Sequence, residues 1–236
     1  MKKQILLSFF ICALCINSVF SQNMLDTIRP MGSLKDSATA GIDEFKSILS
    51  SSYWAFDSAK SLNEMYAVSN RFGLISNKYD NEWAAQYYAS YSLTVLSYID
   101  KDDKKRDTYL DEAEKLSEKA KQLYKAENDE LYVLDAMIAN ARLAVKPSSR
   151  YKKFGDIFNS NLEKAKNIRP NNPRIYYLQG TSIFYTPKFF GGGAKNAITY
   201  FEKADTLFQP EKHDVIFKPF WGKRQNDDML KKCKEQ

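Results

Sequence analysis

The chain reads as an all-α protein built from antiparallel helical hairpins stacked as a short solenoid. Three observations predict this. From Ser37 onward apolar residues recur at threes and fours almost without a break. The prolines and most of the glycines fall between these periodic stretches, where helices stop and start. No segment sustains the alternation of two that a half-buried strand requires.

The first residues, MKKQILLSFFICALCINSVFSQ, carry a basic start at Lys2 and Lys3 and an apolar run from Ile5 to Phe20. Val19 and Ser21 satisfy the small-residue rule for a cut before Gln22. Residues 1–21 are therefore expected to be a secretory signal peptide, and the mature chain to be exported, periplasmic or secreted. An anchor is the competing reading, and the short apolar run with no basic far flank disfavours it. No later segment is apolar enough for a membrane span.

Residues 22–36 contain Pro30 and Gly32 and no sustained period, the pattern of a flexible leader. A single helical domain is expected over 37–236. Its first hairpin, about 37–79, carries Ala59, Leu62, Met65, Tyr66, Phe72 and Ile75. A second covers about 81–125, with Trp83, Tyr87, Tyr91, Val95 and Ile99 on one helix and Leu110, Ala113, Leu116, Ala120 and Leu123 on the next. Asp80 or Asn81 is the expected cap of the former and Asp107 of the latter. KDDKKRD, at Lys101 to Asp107, reads as a solvated loop.

The third hairpin, about 128–170, opens on the capping Asn128 and carries Leu131, Leu134, Ile138, Ala141 and Val145 before Pro147 stops the helix. Its second helix holds Ile157, Phe158, Leu162, Ala165 and Ile168. The fourth, about 172–210, begins at Asn172–Pro173, where the asparagine can cap and proline at the first helical position wastes no donor. Gly180 on its first helix and Ala197, Phe201 and Ala204 on its second are expected at a close helix crossing. Residues 211–236 form a C-terminal cap, with Phe217, Phe220 and Trp221 on the open end of the stack.

LEKAKNIRPNNPRIYYLQG, with Ala165, Pro170, Asn172 and Pro173, and GGGAKNAITYFEKA, with Ala197, Phe201 and Ala204, resemble the tetratricopeptide (TPR) repeat. The likeness is good over Leu162 to Phe208 and weak before Leu110. It extends to exported bacterial TPR-like proteins without an assigned activity. The apparent period is near 40 residues rather than about 34, with the excess placed between paired helices in YIDKDDKKRD, KPSSRYKKFG and TPKFFGGG. The resemblance implies a concave face lined by the first helix of each hairpin. Aligning Trp83, Tyr132 and Tyr176 then points Tyr88, Tyr91, Asn140, Arg174, Tyr177 and Thr181 into the groove, where phenols can stack and Arg174 can receive a carboxylate. Core packing of those tyrosines is the competing reading.

Composition narrows the chemistry. The formal charge of +6, or +4 once Lys2 and Lys3 are removed, is spread in mixed sign, so no nucleic-acid stripe is expected. Cys12 and Cys15 leave with the signal, Cys233 stands alone, and His213 is the sole histidine. No disulfide, metal site or cofactor is therefore expected. Asp111–Glu112, Asp129–Glu130 and Asp227–Asp228 lie at or near helix starts, where the helix dipole accounts for them. Gly192, Gly193 and Lys195 form a weak candidate anion site at a helix start, against the simpler reading of a tight turn. The expectation is an exported, non-catalytic binding module that holds a peptide or protein partner in its groove. The alternative is a periplasmic small-ligand-binding component of a transport or uptake system.

Overall fold

The structure, a computed structural model, describes residues 32–212 and 215–236, with side chains from Gly41 onward. The expected signal peptide, residues 22–31 of the expected leader, and His213 lie outside the described residues. Two compact units are present, one ending at Lys46 and one spanning Ser47–Gln236. The described part of the first is helical from Gly32, so residues 32–36 are not the irregular leader that their sequence suggested.

Among the described residues every regular element is helical. The order is α1 (Gly32–Asp57), α2 (Leu62–Lys78), α3 (Trp83–Ile99), α4 (Asp103–Tyr124), α5 (Asp129–Val145), α6 (Pro147–Ile168), α7 (Pro173–Tyr185), a 3-10 turn (Lys188–Phe190), α8 (Ala194–Phe208) and α9 (Lys223–Lys234). Helices α3 and α4, α5 and α6, and α7 and α8 pair as hairpins. Helix α3 also packs on α5, and α5 on α7, so the first helices of the three hairpins form one layer backed by α4, α6 and α8.

Local chemistry sets the boundaries. Asn128 Oδ1 accepts from the amides of Glu130 and Leu131, and Asn172 Oδ1 accepts from Arg174 N, as their sequence positions predict. Helix α4 starts earlier than expected. Asp102 caps it through bonds to the Lys104 and Lys105 amides, which puts Asp107 inside the helix. There the Asp107 carboxylate joins Arg142 of α5 to Arg150 of α6. Those guanidiniums, Arg150 foremost, hold its carboxyl down at about 2. KPSSRYKKFG is likewise no loop, because Pro147 begins α6 and leaves only Lys146 between helices. The extra length of these hairpins thus resides in the 22-residue helices α4 and α6.

The crossing of α7 and α8 follows the small-residue pattern. A Cβ on Gly180 would stand 2.8 Å from the Phe201 ring, so only glycine leaves room for that fully buried aromatic. Phe201, Ala194 and Ala197 share a core cluster with Met229 and Cys233 of α9. Asn226 Nδ2 donates to Phe201 O at 3.0 Å, which locks α9 onto α8 in the opposite direction.

Candidate functional site

The layer face shared by α3, α5 and α7 is the expected groove, and its first half is already filled. The tail from Ile216 to Trp221 lies across it. Tyr88 Oη donates to Ile216 O at 2.9 Å, and Trp221 Nε1 donates to Tyr87 Oη at 2.7 Å. The Trp221 indole stacks on Tyr91 at 5.0 Å and meets the Tyr177 ring edge-on at 6.3 Å. Phe220 packs against Tyr53 of α1 at 4.7 Å. Ile216, Phe220 and Trp221 are buried. Phe220 and Trp221 therefore do not close the end of the stack as expected; they plug the groove.

This overturns the groove placement of three residues. Tyr88 and Tyr91 are buried aromatics whose phenols burial raises well above the ordinary range. Arg174 is 0% exposed. Its Nη1 and Nη2 donate to the Glu211 carboxylate at 2.9 and 2.7 Å, and Nη1 also reaches Glu130 Oε1 at 3.2 Å. The guanidinium sits 5.6 Å from the Phe208 ring centroid and 5.5 Å from that of Trp221. Glu130 Oε1 accepts further from Asn172 Nδ2 at 2.9 Å and from Arg169. Burial pushes the Glu130 carboxyl up to about 7 while Arg174 and Arg169 pull it down. The carboxylate that Arg174 was expected to receive from a partner is supplied by the chain itself.

The second half of the face stays open. Tyr98 and Ile99 of α3 and Tyr185 of α7 are exposed, while Asn140, Tyr177, Thr181 and Phe184 are half-buried. Tyr98 Oη bonds to Met137 O and Asn140 Oδ1, both at 3.0 Å, which fixes the phenol against α5. The Phe184 and Tyr185 rings meet edge-on at 5.1 Å. Burial lifts the Tyr177 phenol to about 12, so it serves as a neutral hydrogen-bonding group. Asn140, Tyr177 and Thr181 thus border this open surface, joined by Tyr98 and Tyr185, which the sequence reading did not select. Both occupy the last turns of first helices, and extending the groove register two turns beyond Tyr91 on α3 and one turn beyond Thr181 on α7 would have reached them.

Two other places offer less. The amides of Gly191, Gly192 and Gly193 donate to Lys188 O, Pro187 O and Ile183 O, so the glycine run closes its own turn instead of presenting free donors. That removes the Gly192–Gly193 anion cradle, and Lys195 is left as an exposed side chain beside it. A groove of about 620 Å³ between α4, α5 and α6 is lined by Glu114, Glu118, Asp135, Arg142, Lys121 and Phe154. Its acids are paired internally, Glu114 with Arg142 and both Glu118 and Asp135 with Lys121. Among the described residues no three of His, Cys, Asp and Glu gather as metal ligands, and no helix is long and apolar enough to cross a membrane.

Fold and surface define an all-helical protein of stacked hairpins with its tail laid into half of a groove. No protein-family model matches this chain, and no curated relative does. Among solved structures it is similar to the HusA haemophore from Porphyromonas gingivalis. The TM-score is 0.69 and the identity 29%, covering 81% of this chain and 93% of that one.

Proposed function

We propose that the chain is an exported, non-catalytic carrier of a planar apolar ligand of the haem class, held on the open half of the α3–α5–α7 face. The observation that carries this reading is the likeness to a haemophore over nearly all of that protein's length. The surface chemistry supports it. Aromatic faces at the exposed Tyr98 and Tyr185 suit stacking on a macrocycle, and the Tyr177 and Tyr185 phenols offer hydrogen bonds to its polar edge. A peptide partner is the weaker reading, because the tail occupies the length of groove that an extended peptide would need. With a single histidine in the sequence and no group of metal ligands among the described residues, porphyrin stacking supplies most of the affinity in this proposal.

Titration with haem and with metal-free protoporphyrin, read by Soret absorbance and tyrosine quenching, tests the proposal. Both ligands are expected to bind saturably. Tyr185→Ala and Tyr98→Ala should weaken each by about tenfold or more, the loss typical of a central aromatic contact. Absence of saturable binding, or variants indistinguishable from wild type, would overturn it.

A further inference from the structure

One edge of the stack carries aromatic side chains that neither the core nor the open face uses. Because α5 and α7 run in the same direction, the turns that follow them lie side by side. Helix α9 ends at this edge too, since Cys233 packs with Ala194 and Ala197 at the start of α8. Phe189 is 91% exposed, Phe190 74% and Tyr151 67%.

The phenylalanine pair is held out by a built turn. A Cβ on Gly192 would fall 1.9 Å from Thr186 O, and Gly191 and Gly193 take φ of 82° and 96°. Asn196 Nδ2 donates to Gly191 O at 3.0 Å and ties the turn to α8. Three glycines thus shape a turn that projects two adjacent phenylalanines into water, an exposed apolar pair of the kind that marks an interaction site.

The charge around them is predominantly positive. From Ile175 to Phe201 the chain has Lys188 and Lys195 and no acidic residue. Exposed Lys146 and Lys152 flank Tyr151 at the neighbouring turn, and Lys231, Lys232 and Lys234 end α9. Against these stand Asp156 and Glu235, the latter 4.0 Å from Lys231. The α3–α4 turn, with Asp100, Asp102 and Asp103, is mixed in charge and takes no part.

We propose that this edge docks the protein on an anionic lipid bilayer. Phe189 and Phe190 enter the headgroup region while the lysines of the α5–α6 turn, the α7–α8 turn and the end of α9 face lipid phosphates. Aromatic side chains ringed by lysine suit the interface between headgroups and acyl chains. A protein partner of ordinary interface chemistry would favour arginine over lysine. The proposal is independent of the ligand class, since it uses different side chains.

The test is co-sedimentation of wild-type and variant chains, purified after export, with vesicles of phosphatidylcholine alone or mixed equally with phosphatidylglycerol. Wild type is expected to bind the mixed vesicles, to be released by ~0.5 M salt, and to be undisturbed by soluble glycerol phosphate. The Phe189→Ser/Phe190→Ser double variant and the Lys152→Glu/Lys188→Glu/Lys195→Glu variant should each lose roughly tenfold in partition while keeping wild-type melting and tetrapyrrole titration. Equal partition of wild type and both variants, or no binding to the anionic vesicles, would overturn it. Competition by glycerol phosphate would reduce the edge to a simple anion site and overturn it equally.

Discussion

Replacing Arg174 by alanine tests whether the plugged half of the groove is a structural core. The side chain is fully buried, bonds to Glu130 and Glu211, and lies between the rings of Phe208 and Trp221. Alanine leaves two inward-facing carboxyls without their shared cation and opens a void under the indole. Breaking a buried pair from one side costs about 3–5 kcal/mol. Against a total stability of about 5–15 kcal/mol, that is a large share. For a unit of this size it corresponds to a fall in Tm of roughly 6–20 °C. Arg174→Lys should fall between, because it keeps the charge and loses the fork that spans two acceptors. Combining Arg174→Met with Glu130→Gln and Glu211→Gln should recover most of the loss, since the orphaned charges go with it. Urea and thermal melts decide the matter. A change below about 1 kcal/mol in Arg174→Ala is surface behaviour; it would mean that the tail does not cover this residue and that the groove is open.

Two further outcomes follow from the same core. Burial raises the Glu130 carboxyl from 4.5 to about 7, so the folded state holds its proton more tightly than the unfolded chain. Its contribution to stability is therefore full below about pH 4.5 and declines as pH rises to 7. The wild-type minus Glu130→Gln difference in urea melts should show that slope, and a flat difference would contradict it. At the α7–α8 crossing, Gly180→Ala brings a Cβ to 2.8 Å from the pinned Phe201 ring. Overpacking of about 1–3 kcal/mol then opposes a helix-propensity gain of up to about 1 kcal/mol. A double-mutant cycle with Phe201→Leu should give a coupling of at least about 1 kcal/mol, and additivity would show that the helices do not cross there.

Much of the helical order was legible because its signals are local. Asn128 and Asn172–Pro173 announce helix starts by chemistry contained within a few residues, and Gly180 with Phe201 announces a close crossing. Boundaries failed where one residue type permits two roles. Pro147 ends one helix and begins the next, and Asp102 rather than Asp107 captures the free amides. The candidate site was legible only in outline. Helical register alone put Tyr88, Tyr91 and Arg174 in the groove, but Phe72 of α2 and Phe56 of α1 pack on the two tyrosines, and the tail that bonds this layer comes from 128 to 134 residues away, at Ile216 and Trp221. Periodicity reports which face a side chain occupies and nothing about a distant segment laid over it. The same gap hid Tyr98 and Tyr185, which gain importance only because the first half of the groove is closed.

In the proposed function the ligand binds the open half of the face while the tail stays in place. Hydrogen exchange with and without haem measures both at once. Binding is expected to slow exchange in the last turns of α3, α5 and α7, around Tyr98, Asn140 and Tyr185, and to leave residues 215–221 and the Tyr87–Tyr91 turn of α3 as protected as before. Faster exchange at Ile216 to Trp221 with new protection at Tyr88 and Tyr91 would contradict it, because the tail would then be a plug that the ligand displaces.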